Sequence, residues 1–373
     1  MSFLSAERAE LDRFLPGFDD RLARLGVDGA EDPRSAVIRE FRDAGGGNLL
    51  LPAELGGMGA TASQAVRVQR ALGSRAPSLA VATTMHQYKA AWLADVLTDA
   101  KARALLRDVA AQRMLIASCG AESGVASNLF TPGVTVRAVE GGLAVSGVKR
   151  PCSLVWSMGV LSMMVAAPDD SPWAGQLLNI LAPAESPGVQ ARSFWKSPVF
   201  AAAETDEVTL QDVFVPEHHV IPLGPADNAA GQTVRAFVWF VLLITGAYLG
   251  VASALAETVL ERRRGSAGDR VLTVGALEGA AAAVEGVAAL VDTGTMNEAV
   301  LARALFARYA AQRAITDSTD RAAELLGGAD FASGARTAHL LAASRALVHH
   351  PLAEATMREQ LDEFLSTGEL SLT

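Results

Sequence analysis

The chain has 373 residues, half of them apolar and a fifth charged, with a formal net charge of −9. This length can bury a large core divided over two or three domains. The negative charge and the lack of any Lys/Arg run exclude a nucleic-acid-binding surface from the expected functions. The two cysteines, Cys119 and Cys152, provide no disulfide framework, and no apolar signal sequence opens the chain. We therefore expect a cytoplasmic protein.

The first 112 residues are predicted to form helices. Leucine and phenylalanine side chains at helical spacing predict one helix over 4–25. Pro33 and Ser35 can start a second helix, which ends before the glycines that begin at Gly45. Three more helices are predicted over 62–74, 77–95 and 98–112.

Residues 115–223 form a block of β-type sequence. Short apolar or alternating runs are separated by turn residues, including a hairpin turn at Gly141-Gly142. Such a block predicts a small barrel or sandwich. The candidate strands are, in chain order, LIASCGA, VTVRAV, LAVSGVK, VLSMMVAA, LLNILAP and EVTLQDVFV.

Long helical patterns return after Gly224. Gly265 and Gly327-Gly328 mark the ends of two of them. The predicted helices cover 232–263, 273–292, 296–326 and 351–366.

One stretch, 236–256, has no charged residue and is the only one that we consider long enough to cross a membrane. The alternative is a core helix that neighbours cover on every side. We favour the core helix because the flanking sequence is typical of a soluble protein. One small bundle offers this helix few partners, so we also predict a homo-oligomer. Gly246 and Gly250 would allow close helix contacts in either setting.

Several common catalytic and cofactor-binding motifs are absent from the sequence. No G-x-G-x-x-G follows a strand, and neither a phosphate-binding G-x-x-x-x-G-K-[ST] nor a G-x-S-x-G nucleophile motif occurs. Four of the histidines form tandem pairs, His218-His219 and His349-His350. Neighbours in sequence point in different directions on a strand or helix, so we predict no metal site.

Five segments resemble motifs of the acyl-CoA dehydrogenase superfamily. Each motif is short, but five in the family's order, covering nearly the whole chain, are specific. The segments and the family patterns are 52–59 (P-x-E-x-G-G-x-G), 121–128 (T-E-P-x-A-G-S-D), 147–153 (G-x-K-x-W-I-T), 208–216 (a strand ending in V-P) and 325–331 (L-G-G-x-G-[FY]).

The resemblance implies a mostly α-helical fold with a central β-domain. Its parts would be an N-terminal helical domain over 1–114, a small β-barrel over 115–226 and a C-terminal four-helix bundle over 227–373. In the family, FAD lies between the β-domain and the last helical domain, usually at a subunit interface. The resemblance therefore implies FAD as the cofactor and a homodimer or homotetramer, with no membrane or nucleic-acid partner.

The resemblance also assigns residues to FAD. Ser127 would place its hydroxyl and the loop amides against the pyrophosphate, a role for which short loops with unpaired N–H groups are suited. Ser153 would hydrogen-bond the flavin near N5, the atom that receives hydride. The other positions implied to contact FAD are Cys119, Ala121, Cys152, Arg262, Gly327, Gly328 and Thr356.

The sequence departs from the family at several of these positions. Pro151 stands where a tryptophan normally shields one flavin face, and Trp156 is the candidate to replace it. Ser123 and Asn128 replace the proline and aspartate of the 121–128 motif. In the long helix, Phe240 occupies the position at which some members carry the catalytic base, and Val241 occupies that of the usual arginine.

Glu354 is the candidate catalytic base. It lies nine residues after Arg345, which matches the register of the family's C-terminal E-G-T, and Thr356 matches the threonine. In an apolar pocket its raised pKa would let it remove the α-proton of an acyl thioester. The alternative is an exposed residue in the first turn of a helix that begins near Pro351.

The preferred function is α,β-dehydrogenation of an acyl group carried on coenzyme A or a carrier protein. One alternative is a flavin-dependent monooxygenase of the same fold, which needs no α-base, and a combined dehydrogenation and oxygenation is also open. A further alternative is a binding protein without catalysis.

Overall fold

The computed structural model describes residues 3–97, 100–120 and 133–372. The helices before the strands are α1 (Ser5–Phe14), α2 (Phe18–Ala30), α3 (Val37–Asp43), α4 (Ala62–Arg75), α5 (Pro77–Val96) and α6 (Ala100–Ala111). The prediction of one helix over 4–25 is wrong. Pro16 and Gly17 separate α1 from α2, and Gly17 takes a left-handed φ of 74° that glycine adopts without strain.

The central block forms two four-stranded sheets, in the order β1-β4-β5-β8 and β2-β3-β7-β6. All six strand candidates from the sequence are strands, whereas the short β6 and β8 were not predicted. The strands are β1 (Leu115–Ser118), β2 (Thr135–Val139), β3 (Gly142–Cys152), β4 (Met158–Ala166), β5 (Leu177–Pro183), β6 (Val189–Arg192), β7 (Asp206–Pro216) and β8 (Val220–Gly224).

Helices return after β8. They are α7 (Ala226–Glu261), α8 (Ala267–Asp292), α9 (Glu298–Ser333), α10 (Ala335–Ser344) and α11 (Glu354–Thr367). Gly327, with φ 81° and ψ 174°, interrupts the helical backbone of α9 at the stop that the sequence predicted. The short α10 was not predicted.

The long helix α7 lies at the centre of the fold. The most apolar part of α7 is completely buried, and α4, α5 and α9 all pack against it. A Cβ added at Gly250 would lie 2.2 Å from the Arg70 carbonyl oxygen, and one added at Gly73 would lie 2.1 Å from that of Ala247. The predicted close helix contact at Gly250 is therefore present, between α7 and α4.

The surroundings of α7 and α8 both differ from what the sequence indicated. Other helices within the described part of this chain cover α7, so its apolar surface does not require a second copy, and the homo-oligomer stays a prediction. The exposed apolar helix is α8, where Val271 and Leu272 are 69% and 58% exposed. By length and composition α8 is also a second candidate for a membrane span, with 39% of its most apolar part buried.

The first sheet and α5 are joined through a buried histidine. His86 on α5 accepts the Ile116 N–H at Nδ1 (2.8 Å), and its Nε2 lies 2.7 Å from the Gly47 carbonyl oxygen. An acceptor role at Nδ1 requires the proton on Nε2, which then donates to Gly47. Burial lowers the pKa of His86 to about 4, so this neutral ring fixes β1 against α5.

Candidate active site

Aromatic and polar side chains gather where α5, β1 and α7 meet. We call Tyr88, Lys89, Ser118, Phe240 and His350 the inner cluster. The Tyr88 and Ser118 hydroxyls are hydrogen-bonded, and ring centroids lie 5.4 Å apart for Tyr88 and Phe240 and 6.0 Å apart for Phe240 and His350. Tyr88, Lys89 and His350 lie deep in the fold, yet each keeps some accessible surface. The inner cluster is therefore accessible from the surface at these three side chains.

Lys89 is the cation of the inner cluster. Its Nζ lies 3.2 Å from Asn179 Oδ1 on β5 and 4.6 Å from the centroid of the Trp92 ring. Among the described residues no carboxylate pairs with this ammonium group. Burial lowers the pKa of Lys89 to about 7, because the interior disfavours the charged form. Burial likewise raises the pKa of Tyr88 to about 12, so the phenol stays neutral.

His350 is placed by its contacts with two long helices. Its Nε2 lies 2.9 Å from the hydroxyl of Tyr248 on α7. From α9, the buried Arg308 donates to the carbonyls of Leu347 (2.9 Å), His350 (3.0 Å) and Pro351 (2.6 Å). Burial and the nearby Arg308 charge lower the pKa of His350 to about 3, so the imidazole is neutral near pH 7. Arg308 thus positions a neutral histidine beside Phe240.

Glu354, the candidate base, lies at the first residue of α11. Its side chain is 30% exposed, with a carboxylate oxygen 3.2 Å from Arg313 and another 3.8 Å from Arg358. Thr356 donates its hydroxyl to the Ala353 carbonyl (2.9 Å) and so lies in the same helical turn. These contacts correspond to the helix-start alternative. The base role of Glu354 stays a prediction.

The two cysteines predicted to contact FAD are bonded to each other. Cys119 follows β1, Cys152 ends β3, and the disulfide between them joins buried residues whose Cα atoms lie 5.4 Å apart. The expectation that the two cysteines provide no disulfide framework is therefore wrong, because the meeting of the two strand ends is not visible in the sequence spacing. A disulfide is uncommon in a reducing cytoplasm. The predicted cytoplasmic location stays a prediction.

The neighbourhood of Ser153 offers the chemistry that a flavin needs. The Ser153 hydroxyl lies 2.8 Å from that of Thr205, so hydroxyls that can turn toward a ligand stand side by side. Trp156 is 57% exposed, and its indole N–H donates to Asp206 (2.8 Å), which fixes the orientation of a bare aromatic surface. Hydroxyl donors beside an exposed indole fit the polar edge and the flat face of an isoalloxazine ring.

The remaining predicted FAD residues do not join this group. Arg262 forms an ion pair with Asp330 in the turn that contains Gly327 and Gly328, at the far end of the helices. Ala121 and Ser127, together with the rest of the predicted pyrophosphate loop, lie outside the described residues. The described part of the predicted set thus divides into a strand-end group, a group at the helix ends, and Thr356 in the first turn of α11.

Comparison with known proteins identifies the family. The chain is 40% identical to isobutylamine N-hydroxylase of Streptomyces viridifaciens over 380 residues, which cover 100% of both proteins. The chain belongs to the acyl-CoA dehydrogenase superfamily. No protein-family model matches it.

Solved structures share the acyl-CoA dehydrogenase fold with this chain. KijD3 in complex with FMN and dTDP-3-amino-2,3,6-trideoxy-4-keto-3-methyl-D-glucose matches with a TM-score of 0.80 and 23% identity, covering 98% of this chain and 93% of KijD3. PigA in complex with FAD matches with a TM-score of 0.80 and 14% identity, covering 97% of both chains. At these identities the two likenesses show the fold.

Within this member of the acyl-CoA dehydrogenase superfamily, motif reasoning missed Tyr88, Lys89 and Arg308. Motif matching points to loops and strand ends, whereas these three side chains lie within helices. One indication was present in the sequence. Lys89 is the only charged residue between Pro77 and Ala94, in a helix that is otherwise apolar or uncharged. A single lysine in such a helix is either exposed or placed in a functional cleft.

Proposed function

We propose that the protein is a flavin-dependent N-hydroxylase of a primary amine. The observation that carries this proposal is the identity of 40% with an isobutylamine N-hydroxylase over the complete length of both chains. KijD3, which has the same fold, is bound to FMN and a sugar that carries an amino group. The relatives thus favour the monooxygenase alternative over the dehydrogenation that we preferred from the sequence.

The flavin predicted from the sequence is supported by the FMN and FAD bound to the fold neighbours, and we propose FAD. When bound and reduced, a flavin supplies the electrons that activate O2 for oxygen transfer. Ser153 and Trp156 would hold the ring in this chain. Arg262 and the Gly327-Gly328 turn would contact FAD bound to a second copy in a homodimer or homotetramer, which is consistent with their separation from the strand-end group.

The inner cluster suits an amine better than an acyl thioester. Dehydrogenation needs a carboxylate to remove an α-proton, and Tyr88, Lys89 and His350 have no carboxylate among their described partners. N-hydroxylation needs no such base, because the lone pair of a neutral amine is itself the nucleophile. A buried lysine favours the neutral amine over an alkylammonium ion, since two cations repel each other in a low-dielectric cleft. Phe240 excludes water from the same place.

The test compares two substrates on the FAD-loaded enzyme. With a chemical reductant and O2, isobutylamine should give its hydroxylamine, measured by mass spectrometry. A panel of saturated acyl thioesters should not bleach the flavin without O2. The variant Glu354→Gln should keep its hydroxylation rate within about twofold, because the proposal gives Glu354 no proton to remove.

The opposite result would support α,β-dehydrogenation as the function instead. In that case thioesters bleach the wild-type flavin, and Glu354→Gln slows bleaching by about 10²–10⁴-fold, the usual contribution of a general base. A carrier-protein or coenzyme A thioester would then be the substrate, as the sequence first suggested.

A further inference from the structure

Hydrogen-bond donors exceed acceptors around Lys89. An ammonium group has three N–H bonds, and among the described residues Nζ donates one hydrogen bond, to Asn179 Oδ1. The Ser162 hydroxyl donates to the same oxygen (3.1 Å). Two donors on one oxygen fix the orientation of the amide, so the Nδ2 of Asn179 is turned away from both.

Two further donors nearby are buried without a partner. Asn179 Nδ2 and Trp92 Nε1 make no hydrogen bond with the described residues, and the two side chains are only 1% and 3% exposed. Lys89 contacts both residues, through the Asn179 amide and over the Trp92 ring. An unsatisfied buried donor is costly, and a native structure usually supplies a partner for it. The surroundings of Lys89 therefore lack a hydrogen-bond acceptor.

Lys89 and Asn179 meet on the face of the first sheet that contacts the inner cluster. Ser118 of β1 and Ser162 of β4 are partners in the parallel register, so their side chains share one face of the first sheet. That face carries the contacts to Tyr88 and Lys89 of α5. Lys89 keeps some accessible surface, so a ligand can reach it.

We infer that Lys89, held beside Asn179 and Trp92, forms a subsite for a carboxylate of the substrate, so that the preferred amine is an amino acid rather than a plain alkylamine. This inference rests on the proposed N-hydroxylation and adds its substrate class. A carboxylate has only acceptor sites and can take several N–H donors at once. An ammonium group that is costly to bury alone becomes favourable when it is paired and fully hydrogen-bonded.

The subsite should bind its ligand more weakly at high pH. The groups that face Lys89 are Tyr88 and Trp92 on its own helix, Ser162 on β4 and Asn179 on β5, and none is charged near pH 7. Asp95, farther along α5, pairs with Arg235 (3.4 Å). Because burial lowers the pKa of Lys89 to about 7, a carboxylate binds the charged form and loses affinity above that pH.

The test uses L-valine and isobutylamine, which differ only by the carboxylate. Calorimetric titration of the FAD-loaded enzyme at pH 6.5 should show valine bound at least about tenfold tighter, the effect of one charge-assisted hydrogen bond. At pH 8.5 this preference should fall by about tenfold. Lys89→Met should abolish the preference by weakening valine binding, and isobutylamine should bind at least as tightly as to wild type because a repelling cation is removed, whereas the exposed-site control Lys196→Met should change neither affinity.

A second variant tests the acceptor shortage directly. Asn179→Asp places a carboxylate beside Lys89, so the internal pair should exclude valine without removing the lysine. If wild type binds both ligands equally, or if Lys89→Met keeps the valine preference, the subsite is refuted. A loss of FAD affinity in Lys89→Met with the preference retained also refutes it, because the donors then serve the flavin.

The binding titrations and the hydroxylation assay together separate the failure of the subsite from the failure of the proposed function. Hydroxylation of isobutylamine without tighter valine binding refutes the subsite alone. A Lys89-dependent valine preference in an enzyme that hydroxylates no amine supports the subsite and refutes the N-hydroxylase.

Discussion

Arg308→Met should destabilise the protein through the segment that carries His350. Arg308 is fully buried, and its guanidinium donates to three backbone carbonyls between Leu347 and Pro351. Methionine keeps most of the volume and removes every donor. The His350 and Pro351 carbonyls would be left without a partner at about 2 kcal/mol each, and the Leu347 carbonyl, which keeps the His350 N–H (3.3 Å), would lose about 1 kcal/mol. Burial lowers the pKa of Arg308 to about 10, so the wild-type protein spends about 3 kcal/mol on burying the charge, and the methionine variant avoids this cost. The expected net loss is about 2 kcal/mol.

Arg313→Met on the same helix is the matched control. Arg313 is 63% exposed and pairs with Glu354, so its loss should cost less than about 1 kcal/mol. Urea unfolding of the flavin-free proteins, followed by circular dichroism, gives both free energies of unfolding. Equal losses in the two variants would show that the carbonyl contacts of Arg308 do not hold the segment, and our account of how His350 is positioned would fail.

Two further predictions concern the fold. Gly250→Ala should cost about 2–4 kcal/mol, because the new Cβ would lie 2.2 Å from the Arg70 carbonyl oxygen, whereas Gly279→Ala, with nothing within 4 Å, should gain up to about 1 kcal/mol. Thermal and urea unfolding compare the two, and equal effects would refute the close packing of α7 on α4. Reduction of the Cys119–Cys152 disulfide, which spans 33 residues, should lower the free energy of unfolding by about 3–4 kcal/mol. A Cys152→Ser variant should not respond to reductant, and a wild-type protein that also does not respond would contradict the bond.

The sequence predicted the succession of elements well where local patterns decide them. The longer strands and most helices follow from periodicity and from glycine stops such as Gly327. The break at Pro16-Gly17 follows from backbone chemistry, but the apolar stripe continues through it and so predicts a single helix. The strands β6 and β8 have only four and five residues. They are extended because β6 pairs with β7 and β8 pairs with β5, and no local sequence pattern shows this pairing.

The site was less predictable because it depends on contacts between distant segments. Motifs predict a flavin contact at Ser153, which stays a prediction, whereas the bond between Cys119 and Cys152 depends on the meeting of two strand ends. The inner cluster joins α5, α7 and the 345–350 segment, residues more than a hundred positions apart. The position of Lys89 opposite Asn179 follows from packing α5 on the first sheet, which no spacing rule gives.

The most direct test of amine N-hydroxylation is the origin of the product oxygen. The FAD-loaded enzyme, reduced and then mixed with isobutylamine or L-valine under ¹⁸O₂, should give a hydroxylamine two mass units heavier than under ¹⁶O₂. The label should enter one atom per product and none should come from water. Flavin reoxidation that yields only hydrogen peroxide and unchanged amine, or a product oxygen drawn from water, would contradict the account.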